Sequence, residues 1–391
     1  MATTTGDELV HWFTSEQLPG DVILQHLKWQ DALRLASTCT QLWSVVERLV
    51  TLARPNMKVA LGDTTPDRLR IPLLTGLTAA HNAQTNNNAL RWACSNGHLE
   101  VAQWLTKQFG LTADDARAVD NWAFLRACQR GHLDVAQWLT KRFGLTADDA
   151  RAYNNIALRW ACKHGRLEVA QWLTERFELT ANEARTFANW ALRWACHNGH
   201  LVVAQWLKGR FELTADDART YDNWALRWAC SKGHLAVAQW LTERFELTTD
   251  DARADNNDAL QGACDNGHLK VAQRLTERFR LTAADARARN NYALRWACGN
   301  GHLEVAQWLT ERFGLTAADA RTNDNEALRW ACTNGHLEVA QWLTERFELT
   351  ADDARVVDDN AALRWACANG HLEVVGWLEE KFGITRAELD Y

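Results

Sequence analysis

A cysteine and a histidine stand four residues apart, Cys94 and His98, within ALRWACSNGHLEVAQWL, residues 89–105. Such a pair suits three chemistries. Thiolate and imidazole are zinc ligands, a thiol beside an imidazole is an activated nucleophile, and thiols of two such stretches could close a disulfide. Recurrence weighs against all three. Gly97 is followed by Gly131, Gly165, Gly199, Gly233, Gly267, Gly301, Gly335 and Gly370, in steps of 34 residues and once 35. All nine units carry the cysteine, and Cys39 makes the tenth. One unit supplies two ligands where structural zinc takes about four. Neighbouring helical layers stand ~10 Å apart, too far for easy sharing of one ion. That spacing also exceeds the ~7 Å Cα limit of a disulfide. A catalytic pair is single and polarised rather than repeated in every layer. The expectation is therefore a small buried Cys94 and a His98 that bonds backbone in a turn. No phosphate loop, hydrolase elbow or carboxylate pair appears elsewhere, so we expect no enzyme, no catalytic residue, no metal and no cofactor.

The repeat itself must then explain these residues. Asn121 opens one unit, and Asn recurs there in every copy; it is expected to cap a short helix by accepting backbone N–H bonds. Gly97 reads as a helix stop. A second helix is expected from about Leu99 to Phe109, with Val101, Trp104, Leu105 and Phe109 on one apolar stripe. Then comes GLTADDAR, residues 110–117, where Thr112 and Asp115 have capping-box spacing and the late Arg117 suits the helix dipole. Each unit thus holds two main helices, one extra helical turn and a polar connector.

The letters GHLEVAQWL resemble the ankyrin repeat, in which a short helix ends in Gly-His and a second begins Leu-Glu-Val. Eight of nine copies keep Gly-His-Leu; Gly165-Arg166-Leu167 departs. Tetratricopeptide repeats share the period but need a longer first helix. The resemblance covers residues 76–391. It implies an all-α, ankyrin-like helical solenoid of about nine 34-residue repeats that binds a protein target. The family's Thr-Pro-Leu-His segment reads Asn88-Ala89-Leu90-Arg91 here, and the LTADDAR turn stands where the family has a β-hairpin finger.

The chain holds 21 Trp. Trp92 and Trp104 have counterparts in most units, which reads as packing between helices and layers. Both are lost together at Gly262 and Arg274; joint loss suggests that the two touch and that this unit is a soft point. Other positions vary freely. One connector position reads Val119, Tyr153, Phe187 and Tyr221 in units two to five; three residues later come Trp122, Ile156, Trp190 and Trp224. Two roles stay open for these eight: recognition of the target protein, or sideways packing onto the next connector.

Residues 1–14 form a polar tail, 15–52 a helical trio, and 53–75 a connector holding three of the four prolines. Leu18-Pro19, then Ile23, Leu24 and Leu27, then Leu33, Leu35 and Trp43, resemble the F-box. That resemblance implies that these residues dock on the Skp-type adaptor of a cullin–RING ubiquitin ligase. The alternative is a cap covering the first repeat, as any array needs one. F-box plus ankyrin architecture also resembles proteins of large DNA viruses that redirect host ubiquitination. A net charge of −6 without a basic block argues against a nucleic-acid partner. No apolar window approaches ~18 residues, so no membrane span is expected. The expectation is a monomeric adaptor in the cytoplasm, the nucleus not excluded. The competing function is an ankyrin scaffold or anchor without a ligase link.

Overall fold

The structure, a computed structural model, describes residues 88–355 and 360–385. Leu90, Ala93 and Cys94 lie on one face of a helix spanning Asn88–Ser95, and all three are buried. Gly97 stops it at φ 74°, with the His98 N–H donating to the Ala93 carbonyl at 2.9 Å, the closure that a left-handed residue permits. The second helix spans Leu99–Phe109, as expected, and buries Ala102 and Leu105. In the extra turn, the Thr112 N–H donates to Asp115 Oδ2 at 2.8 Å. Capping boxes recur at Thr146/Asp149, Thr214/Asp217 and Thr316/Asp319. Among the described residues there is no β-strand; helical turns stand where a hairpin finger was in question.

Contacts divide the chain into two compact units. One ends at Ala127 and includes Asp134–Leu145; the other holds Cys128–Leu133 and the described residues from Thr146 on. Within the second, the repeats stack in sequence order and share one internal recipe. Alanine, leucine and cysteine of each first helix (Ala157, Leu158, Ala161, Cys162) meet valine, alanine and leucine of each second helix (Val169, Ala170, Leu173). Small side chains let the layers approach closely, and each buried leucine contributes roughly 2 kcal/mol.

The capping role expected of the asparagines is corrected. Asn189 has φ 59° and ψ 38°, and it ends a run of three left-handed residues with Phe187 and Ala188. A side-chain cap needs extended backbone at that residue. The Asn189 amide instead reaches into the next repeat and donates to Asp217 Oδ1 at 3.0 Å; Asn223 does the same to Asp251 at 3.2 Å. The same three-residue run occurs at Val119–Asp120–Asn121, Tyr153–Asn154–Asn155 and Tyr221–Asp222–Asn223. Each such residue costs roughly 1–2 kcal/mol in isolation, so the turn persists only where neighbours hold it.

The late arginine of each extra turn also does more than face a helix dipole. Arg185 grips Asp217 with two bonds, Nε at 2.9 Å and Nη2 at 3.1 Å. Arg219 grips Asp251, Arg253 grips Asp285, Arg287 grips Asp319 and Arg321 grips Asp353. The paired geometry fixes both distance and orientation between successive turns.

The tryptophans at the Trp104 position pack within their own helix and turn. Trp172 stands edge-on to Phe177 at 5.7 Å, and Trp206 to Phe211 at 5.6 Å. Trp194 and Trp206 make no ring contact with one another, because Trp194 spends its faces on Trp190, His197 and Trp224.

Candidate functional site

The site begins with the left-handed turn. Its carbonyls point at an arginine of the following helix: Arg159 donates from Nε to Asn154 O at 3.0 Å and from Nη2 to Tyr153 O at 2.9 Å. Arg193 repeats this on Ala188 and Phe187, at 2.8 and 2.9 Å. The fork offsets the cost of the turn and holds it rigid. A residue in this turn throws its side chain outward. Tyr153 is 53% exposed, Phe187 55%, Tyr221 62% and Val119 43%.

The second connector position behaves differently. Trp122, Ile156, Trp190 and Trp224 are all half-buried. Trp190 meets Trp194 at 5.4 Å, Trp194 meets Trp224 at 5.5 Å, and Trp224 meets Trp228 at 5.6 Å. His197 stacks on Trp224 at 5.6 Å and also touches Trp194 and Trp228. Burial among the indoles pulls the His197 imidazole below its ordinary pKa, and its bond with Asn198 opposes that shift.

Cations interleave with the rings. Arg159 lies 4.6 Å from Phe187 and 5.0 Å from Trp190; Arg193 lies 4.6 Å from Tyr221 and 5.1 Å from Trp224. Lys163 sits 4.0 Å over Trp194. In the other unit Arg126 covers Trp122 at 4.0 Å. One guanidinium thus binds the turn of its own repeat and the rings of the next. The order of positions in the chain hides this bridge. The signal available in the sequence was an Asn or Asp pair, which favours left-handed backbone, followed four residues later by an arginine in most units, with Leu125, Gln261 and Ala188 as departures.

At Asp255, Asp258, Arg289 and Glu326 the same positions carry charge, while Tyr292 stays aromatic and Asn323 is neutral. Arg227 pairs with Asp255 and, at 2.9 Å, with Asp258; Arg289 reaches Asp255 at 2.7 Å. Arg295 pairs with Glu326, which also accepts from Trp330 Nε1 at 2.9 Å. These charges satisfy one another. The outward-facing aromatics of the connector row are Tyr153, Phe187 and Tyr221.

The Cys–His pairs take no such position. Cys94 and Cys128 through Cys332 are buried, and burial pushes the thiols up, that of Cys332 to about 12. A thiol held neutral is a poor nucleophile. Among the described residues no three Cys, His, Asp or Glu side chains converge as ligands. No described helix is long and apolar enough to cross a membrane. The adaptor-binding residues expected from the F-box resemblance, Leu18, Pro19, Ile23, Leu24, Leu27, Leu33, Leu35 and Trp43, lie outside the described residues, as do 1–14 and 53–75.

A family model described as ankyrin repeats (3 copies) matches residues 90–185, 226–319, 260–353 and 314–386. No curated protein matches the chain.

Proposed function

The chain belongs to the ankyrin-repeat family, and from that premise we propose that it is a non-catalytic adaptor which holds a target protein on its connector aromatics. Ankyrin repeats serve protein–protein interaction. The observation that carries the finer reading is the outward exposure of Tyr153, Phe187 and Tyr221 on turns bonded by Arg159, Arg193 and Arg227 respectively. Rings displayed on a rigid backbone lose little entropy on binding. Within that unit Ile156, Trp190 and Trp224 complete the proposed surface, the tryptophans as its support; Val119 and Trp122, in the other unit, are proposed as target-binding residues on their own.

The N-terminal segment supplies the second half of the proposal. Its Leu18-Pro19 motif and following leucines would dock a Skp-type adaptor, bringing target and cullin–RING ligase together by proximity. The test is retention of purified Skp-type adaptor by the full-length chain. The proposal expects retention, and its loss in Leu18→Ala/Pro19→Ala/Leu24→Ala. No retention, or retention unchanged by the substitutions, leaves an ankyrin scaffold without a ligase link.

A further inference from the structure

One place in the indole column is taken by an imidazole. In the nine units the residue after the repeat cysteine is histidine only at His197; the adjoining repeats carry Lys163 and Ser231 there. The ring is half-buried among three indoles, 4.8 Å from Trp194, 5.1 Å from Trp228 and 5.6 Å from Trp224, on which it stacks at 20°. Its Nδ1 lies 3.2 Å from Asn198 Oδ1, an acceptor, so the neutral ring holds its proton there and Nε2 is the nitrogen left to take another.

The neighbours of this ring resist a second positive charge. Lys163 Nζ lies 4.0 Å over Trp194, and Lys232 Nζ lies 5.6 Å over Trp228. Both ammonium groups therefore occupy indoles that His197 also touches. His234 faces it from the following repeat and donates from Nε2 to the His197 carbonyl. Indole faces attract an imidazolium, but here two of the three are already shared with a cation. Loss of solvent works hardest against protonation, and Lys232, His234 and Lys163 add to it. The neutral ring fits the column, and the protonated ring does not.

Trp224 connects this ring to the exposed surface. Arg193 lies 5.1 Å from Trp224 and 4.6 Å from Tyr221, and it donates to the carbonyls of Ala188 and Phe187. We propose that His197 is a pH-sensitive latch beneath the Phe187 and Tyr221 surface: the neutral ring closes the indole column, and the protonated ring leaves it, so that Trp224 and the turn held by Arg193 lose support and the grip on a target weakens. The effect on a target rests on the adaptor reading; the movement of the ring needs no partner.

The experiment titrates the full-length chain from about pH 8 to about pH 5 and follows the His197 ring by NMR of isotope-labelled histidine, its signal assigned by its loss in His197→Gln. The ring is expected to titrate below about 6.5, the value of an unperturbed histidine. Lys163→Met/Lys232→Met is expected to raise that midpoint, which a ring with only a packing role would not show. Acrylamide quenching of tryptophan fluorescence is expected to rise as the ring protonates, and most of that rise should vanish in His197→Phe. Should that variant unfold, His197→Gln carries the comparison. A His197 midpoint at or above about 6.5 overturns the latch. So does a midpoint unmoved by the lysine substitutions, or quenching that rises equally without the histidine. Crosslinked capture of a target at about pH 7.5 tests the adaptor reading separately. Its absence there removes that reading and leaves the ring titration to decide this one.

Discussion

The imidazole of His234 lies directly against Gly199 of the preceding repeat: a Cβ built on Gly199 would stand 2.7 Å from its Cε1. Nε2 of the same ring is 3.0 Å from the His197 carbonyl, which it meets as a donor. The pairing recurs at Gly165/His200, Gly233/His268 and Gly267/His302. The glycine is thus required twice, for its φ of 76° and for the ring that fills the place of its side chain. Gly199→Ala is expected to cost roughly 2–4 kcal/mol, left-handed strain plus overpacking. Gly314→Ala, with φ 61° and nothing within 4 Å, is expected to cost only about 1 kcal/mol. Urea-denaturation midpoints compare them; equal losses would remove the interlock from the account.

The same columns set a pH dependence. Burial lowers the pKa of His200, His268 and His336, so below about 6.5 the unfolded chain takes up protons that the folded chain refuses. Stability is therefore full above about pH 6.5 and declines as pH falls from there. A second loss follows from the inter-repeat carboxylates. Hydrogen bonding from Arg321 holds Asp353 down to about 2; Asp251 and Asp319 also lie at about 2, where bonds from arginine and threonine outweigh the upward push of burial. Their contribution is present above about pH 4 and disappears toward pH 2. Melting temperatures between pH 8 and pH 2 should fall in two stages; a flat profile from about pH 7 to pH 5 would exclude the histidine stage.

Second helices end in a left-handed residue, glycine at Gly110, Gly144, Gly314 and Gly383 but glutamate at Glu178, Glu212, Glu246 and Glu348. Glu212→Gly removes the Cβ penalty and is expected to raise stability by roughly 0.5–1 kcal/mol. Calorimetry of the single substitution and of Glu212→Gly/Glu348→Gly should show additive gains, since the sites are far apart in sequence and share no partner. A loss would mean that the glutamate side chains hold the turn in some other way.

The two connector rows separate on mutation. Tyr153→Ala, Phe187→Ala and Tyr221→Ala remove exposed rings, and each is expected to change stability by less than about 1 kcal/mol. Trp190→Ala and Trp224→Ala open the indole column and should each cost roughly 2–4 kcal/mol. Capture of a crosslinked target should fall in the first set while the melting point holds. Destabilisation by the first set as large as by the second would return these residues to a packing role.

The sequence alone determined the repeat, because a step of 34 residues survives without knowledge of any contact. It determined the helix bounds Leu99–Phe109, the glycine stop and the capping turn, all of which depend on residues within one turn of each other. It also argued against reactive Cys–His pairs, since a catalytic pair is single and these recur in nearly every layer. What lay beyond it was set between layers. The side-chain roles of Asn189, of Arg185 and of His234 are all completed by the neighbouring repeat, about thirty residues away, and local spacing carries no information about which atoms meet there. The division of the connector residues into exposed Tyr153, Phe187 and Tyr221 and half-buried Trp190 and Trp224 has the same origin. It follows from a left-handed turn whose carbonyls are met by Arg159, Arg193 or, in one repeat, the Gln261 amide.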